Sequence, residues 1–194
     1  MKERLTLRNV VIWGAAFLGL LFFFLSFAAK AQLYGPAEGD QAAYIIRNAI
    51  WSCNFLEVRI NGEYIAGNYV TGKPFVLPII GIILLLIAVL GAVAISFFVK
   101  DNKLAKILLI VCGGLAIVGG VFIFFVGESA LRTFAYEMFG EEGLKEIDSL
   151  RAEMKGNGWN EGPRALSVII GVVAILAGAA FGVAPFLPEK KLVK

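Results

Sequence analysis

The sequence predicts an all-α membrane protein: four antiparallel transmembrane helices with a small extracytoplasmic cap containing a β-hairpin and short amphipathic helices. Three observations carry this class. Residues 9–29, 74–99, 107–127 and 165–188 contain no Asp, Glu, Lys or Arg, and histidine is absent from the whole chain. A helix of about 20 residues crosses the hydrocarbon core of a bilayer, where a charge at mid-depth costs about 2.5–3.5 kcal/mol. Apolar residues make up 59% of the 194 and mean hydropathy is +0.80. Soluble domains hold roughly 45–50% apolar residues, so an ordinary water-soluble domain and a disordered chain are both excluded.

The third observation is how charge is distributed. The N-terminal end, the turn at 100–106 and the C-terminal tail together hold nine basic and three acidic residues. The two long connections hold the other nine basic and twelve acidic residues. The positive-inside rule then puts both termini and the short turn in the cytoplasm of a cell-membrane protein, and an even number of spans agrees. The expected spans are 9–29, 74–99, 105–127 and 165–187, in a single domain over 1–194 with external loops 30–73 and 128–164.

The first span is rich in Phe, with Trp13 near its cytoplasmic end as an interfacial anchor. A signal-peptide alternative exists, because Ala29-Lys30-Ala31 before Gln32 has the A-x-A form. The apolar run over 10–29 is longer than the ~7–15 residues of a signal-peptide h-region, and this weighs against cleavage. In the first loop, Tyr34-Gly35-Pro36 marks a turn and Asp40 caps an expected short helix to about Trp51. Asn61-Gly62 between alternating residues predicts a hairpin of 55–60 with 63–66. A lone hairpin is marginal in water, so it needs the bundle or a strand from elsewhere.

The second span is expected to begin at Pro74, with Pro78 one turn further in. The tight turn at 100–106 makes the second and third spans antiparallel neighbours. Small residues recur at four-residue spacing in the third span (Ala116, Gly120) and the fourth (Ala174, Gly178, Gly182), which lets helix backbones approach closely in lipid. The third helix is expected to run on to about Phe139. A second segment over 141–155 places Leu144, Ile147, Leu150 and Met154 on one stripe, with Glu141–Lys145 and Asp148–Arg151 pairs and Gly156 as its C-cap.

The absence of histidine removes Ser-His-Asp and Cys-His nucleophile systems and His-ligated zinc or haem. There is no phosphate-binding G-x-x-x-x-G-K-[ST] loop and no C-x-x-C pair. The two cysteines, Cys53 and Cys112, fall in different environments, which argues against an intrachain disulfide. No charged residue lies at depth within the spans, Lys106 falling at the end of the third, so a pore or carrier built by this chain alone is not expected.

Three constellations remain. Glu137, Glu141, Glu142, Glu146, Asp148 and Glu153 form an acidic set able to meet calcium or a basic partner, against the simpler reading of a solvated helix face. Trp51 and Cys53 beside the hairpin form a candidate partner patch, against the reading of Trp51 as an interface anchor. Gly120, Gly178 and Gly182 mark a seam for a partner helix or lipid, against internal packing.

The order of short inner N-terminus, long first outer loop, tight inner turn and shorter second outer loop resembles the claudin-like tetraspan class. Trp51, Cys53 and the hairpin are similar to that class's first loop. The chain has neither a second loop cysteine nor the Gly-Leu-Trp leader, since Ala49-Ile50 precede Trp51, so the resemblance is one of topology and brings no functional residues. The functional expectation is a non-catalytic membrane interaction, scaffold or accessory protein acting through helix packing and its external cap. The alternatives are a subunit of a transport complex and, third, a membrane enzyme using external carboxylates. Expected partners are the lipid bilayer and another membrane protein or a second copy. No cofactor is expected, and scattered basic residues argue against nucleic acid.

Overall fold

A computed structural model describes residues 6–34, 44–49, 56–60, 63–66, 76–99, 101–158, 160–163 and 165–188. The elements in order are α1 (Leu7–Leu25), β1 (Lys30–Tyr34), β2 (Tyr44–Ala49), β3 (Leu56–Ile60), β4 (Glu63–Ala66), α2 (Val76–Phe98), α3 (Asn102–Ile123), α4 (Val126–Lys145), α5 (Ile147–Gly156), β5 (Asn160–Pro163) and α6 (Ala165–Val183). Two 3-10 turns, Ser26–Ala28 and Ala184–Phe186, follow α1 and α6. The chain divides into two compact units. One comprises Met1–Leu25, Ile80–Ile123 and Ile169–Lys194, the other Ser26–Ile79 and Phe124–Val168.

The first unit is built from α1, α2, α3 and α6, which among the described residues are the four helices long and apolar enough to cross a membrane. No more than 39% of each span's apolar window is buried within the protein. Large side chains such as Phe17, Phe24, Leu90, Phe98 and Leu176 face outward instead. Only lipid makes such a surface favourable, so the chain is an integral membrane protein in contact with the bilayer. The inward faces are mostly aliphatic: Ile12, Ile82, Leu85, Leu109, Ala116 and Ile170 are almost wholly inaccessible, as is the one aromatic among them, Phe181.

Local polar groups fix the helix ends. The Asp101 carboxylate accepts from the backbone N–H of Lys103 (2.7 Å) and Leu104 (3.2 Å), capping α3. The Thr6 hydroxyl accepts from the Asn9 N–H at 3.3 Å and starts α1. Trp13 ties α1 to α2: its indole N–H donates to the Ser96 hydroxyl at 3.0 Å, and its ring stacks on Phe97 at 5.6 Å.

The second unit corrects the expected fold class. The expected all-α class, with a cap of one hairpin and short amphipathic helices, is not what forms. The strands make a single antiparallel five-stranded sheet in the order β4-β3-β2-β1-β5. The Asn61-Gly62 turn on which the hairpin rested lies outside the described residues. The short helix expected from Asp40 to Trp51 is replaced by β2, paired through Tyr44↔Ile60 on one side and Gln32↔Arg47 on the other. Tyr44-Ile45-Ile46 is aromatic and β-branched, and two flanking strands supply hydrogen bonds no local window contains. The far edge, β5, comes from the second loop and pairs Gln32↔Gly162 and Tyr34↔Asn160.

Helix boundaries after the third span also differ from expectation. The helix expected to reach Phe139 stops at Ile123, and α4 restarts at Val126 and packs on β1 and β5. Within α4, Gly140 leaves helical geometry at φ 66°, ψ −146°. The C-cap of α5 is Asn157 rather than Gly156, and Gly158 takes the left-handed position at φ 76°. The second helix is described from Val76, and Pro74 lies outside the described residues.

Candidate functional site

In the second unit, α4 and α5 meet in a bend held by charge. Arg132 pairs with Glu128 at 2.7 Å, one turn apart on α4. Arg151 of α5 reaches back to the second carboxylate oxygen of Glu128 and also pairs with Asp148 at 3.3 Å. Glu128 therefore serves two guanidinium groups from two helices, which ties α5 along α4. Within α4, across the break at Gly140, Gly143 lies close to the first part of the helix: a β-carbon there would lie 2.5 Å from the Ala135 carbonyl oxygen.

The bend leaves a groove of about 560 Å³, lined by Phe139, Glu142, Glu146, Ser149, Leu150 and Glu153, with Lys145 and Gly143 alongside. Three of the six sequence-selected acidic residues thus come together, while Asp148 turns to Arg151 and Glu141 lies outside the lining. The Glu137 side chain lies outside the described ones. Among the described residues, no group of three or more acidic or cysteine side chains is placed to hold a metal ion. The groove combines an anionic rim with an apolar contact, since Phe139 is 55% exposed. Sequence reasoning passed over Phe139, using it only to mark a helix end. The available signal was a large aromatic immediately before Gly140 in an otherwise acidic stretch.

Of the remaining candidates, Trp51 and Cys53 lie outside the described residues. Gly120 and Gly178 lie where α3 meets α6. A β-carbon on Gly178 would sit 2.6 Å from the Gly113 carbonyl oxygen, and one on Gly120 would sit 2.7 Å from that of Gly171. Gly182 contributes differently: its own β-carbon direction is open, but its backbone nitrogen lies 3.0 Å from where a Gly113 β-carbon would be. A second close approach joins α2 to α3, where a β-carbon on Gly81 would sit 2.5 Å from the Gly119 carbonyl oxygen.

The bundle has an opening on another side. Val11, Ala15 and Leu18 of α1 and Val173, Ala177 and Ala180 of α6 line a groove of about 240 Å³ with an almost wholly apolar wall. Compared with protein-family models, with curated proteins and with solved structures, the chain matches none, and its functional reading rests on its own residues.

Proposed function

We propose that the chain is a non-catalytic interaction protein of the cell membrane, with both termini cytoplasmic, whose sheet-bearing unit engages a second membrane protein on the outer side. The observation that carries this reading is the α4–α5 groove, with Phe139 exposed beside Glu142, Glu146 and Glu153. Aromatic side chains are enriched in interface cores, and complementary charge at the rim steers association. The chemistry this favours in a partner is a short basic segment carrying an apolar side chain. A supporting point is that Gly120 and Gly178 are occupied in packing the bundle itself, which turns attention from the helices to the water-exposed unit.

A photo-crosslinking residue at Ser149 tests this in native membranes. A discrete adduct is expected, lost with Phe139→Ala or with Gln at positions 142, 146 and 153. Its yield should fall as salt rises well above ~0.1 M, where the screening length is about 10 Å. No adduct, or one indifferent to both salt and the substitutions, overturns the reading.

A further inference from the structure

Two exposed lysines, Lys103 and Lys106, stand on the first turns of α3. Among the described residues the ion pairs run through Glu128, Arg132, Asp148 and Arg151 of the other unit, and neither lysine takes part in one. The carboxylate nearest in sequence, Asp101, is engaged by the backbone N–H groups of Lys103 and Leu104. Both ammonium groups therefore face outward without a protein counter-charge.

Their place on the helix says what lies beside them. Steps of three and four residues lead from Lys103 to Ile107 and Ile110, and from Lys106 to Ile110, so lysines and isoleucines share one face. Ile107 is 58% exposed and Ile110 47%, while Ala105, Leu109 and Cys112 are buried on the inward face. The outward face is the one that lipid makes favourable. The hydrocarbon tails covering Ile107 and Ile110 thus belong to lipids whose headgroups lie about one turn away, at the level of the lysines. A lysine lays its methylene stem along such a surface and keeps its ammonium at the polar boundary.

The rest of this end of the bundle favours an anion. Arg8 of α1 donates to the Asn102 side-chain oxygen at 3.4 Å, which brings the start of α1 to the start of α3. Gly113 of α3 lies against Gly182 of α6 whereas Gly120 lies against Gly171, so α6 runs antiparallel to α3 and finishes beside its start. Both terminal segments, each with three basic residues and one acidic, join the bundle here. The positive end of the α3 dipole has the same sign. An acidic protein segment could meet the lysines but not the isoleucines, which lipid already covers.

We propose that Lys103 and Lys106 form a headgroup site for an anionic phospholipid whose acyl chains lie on Ile107 and Ile110. The site is independent of the partner reading above, since it lies in the other unit. A basic residue near an anionic surface strengthens attraction by about fivefold, and two by about thirtyfold. The full chain, purified in mild detergent and washed free of lipid, is offered phosphatidylglycerol and phosphatidylcholine of equal chain length and read by native mass spectrometry. Phosphatidylglycerol adducts are expected to dominate by about tenfold or more. Replacing both lysines by Gln should remove most of that preference, and replacing both by Arg should keep it. Gln at Lys145 and Lys155, in the other unit, should leave it unchanged. Because both lysines are exposed, the melting temperature is expected to hold; if the double Gln variant melts lower, Lys106→Gln alone carries the test, with about a fivefold loss. Equal binding of the two lipids, a preference that survives the Gln substitutions, or one lost equally with Lys145 and Lys155 overturns the proposal. So does displacement of the lipid by millimolar glycerol 3-phosphate, because the ligand is then a free phosphate and the isoleucine face plays no part.

Discussion

Gly140 sits at φ 66°, ψ −146°, a backbone region that residues with a β-carbon avoid. No atom lies within 4 Å of where its β-carbon would be, so the constraint there is conformational and not steric. The residue allows the chain to turn within α4 and bring Gly143 against Ala135. Gly140→Ala is expected to cost about 1–3 kcal/mol and to make α4 more open to proteolysis. A melting temperature and protease resistance equal to wild type would show that the bend tolerates an ordinary residue. Gly140 and Gly158 are the described glycines with a positive φ, and the sequence marks Gly140 only as a point where a helix could end. A glycine at the end of an acidic helical stretch reads equally well as a cap.

Elements divide by what holds them. The spans pack through small residues, and α3 against α6 is one close case. Gly178→Leu places a branched side chain where the Gly113 carbonyl oxygen and Ile117 already are. We expect a loss of about 1–3 kcal/mol of stability from overpacking, read as a lower melting temperature in detergent. A variant with wild-type melting would mean that the two helices are not tightly joined. The four-residue spacing of these glycines was legible because helix geometry repeats locally. The strands were less legible. Residues 44–49 satisfy helical and extended patterns alike over so short a run. Their state is set by β1 and β3 on either side, which a local window does not contain. The four-residue β5, Asn-Glu-Gly-Pro, has no strand-like composition and is extended because β1 offers it an edge.

At the scale of the molecule, a membrane bundle and a sheet-bearing unit are built from interleaved pieces of one chain. The sidedness proposed from charge makes a direct prediction. In intact cells, a membrane-impermeant amine reagent should modify Lys145, on the external side, and spare Lys103 beside the capped start of α3. The reverse pattern would invert the topology.

Apolar length and the placement of charge were enough to establish four spans, because burying a charge in hydrocarbon costs several kcal/mol wherever its neighbours lie. That cost belongs to each residue and is visible without knowing any contact. The sheet order, the Arg132–Glu128–Arg151 clasp, the gathering of Glu142, Glu146 and Glu153 around Phe139, and the open α1–α6 seam belong to another category. Each depends on residues from separate segments meeting in space, and hydrogen bonds, ion pairs and voids exist only once that meeting has occurred.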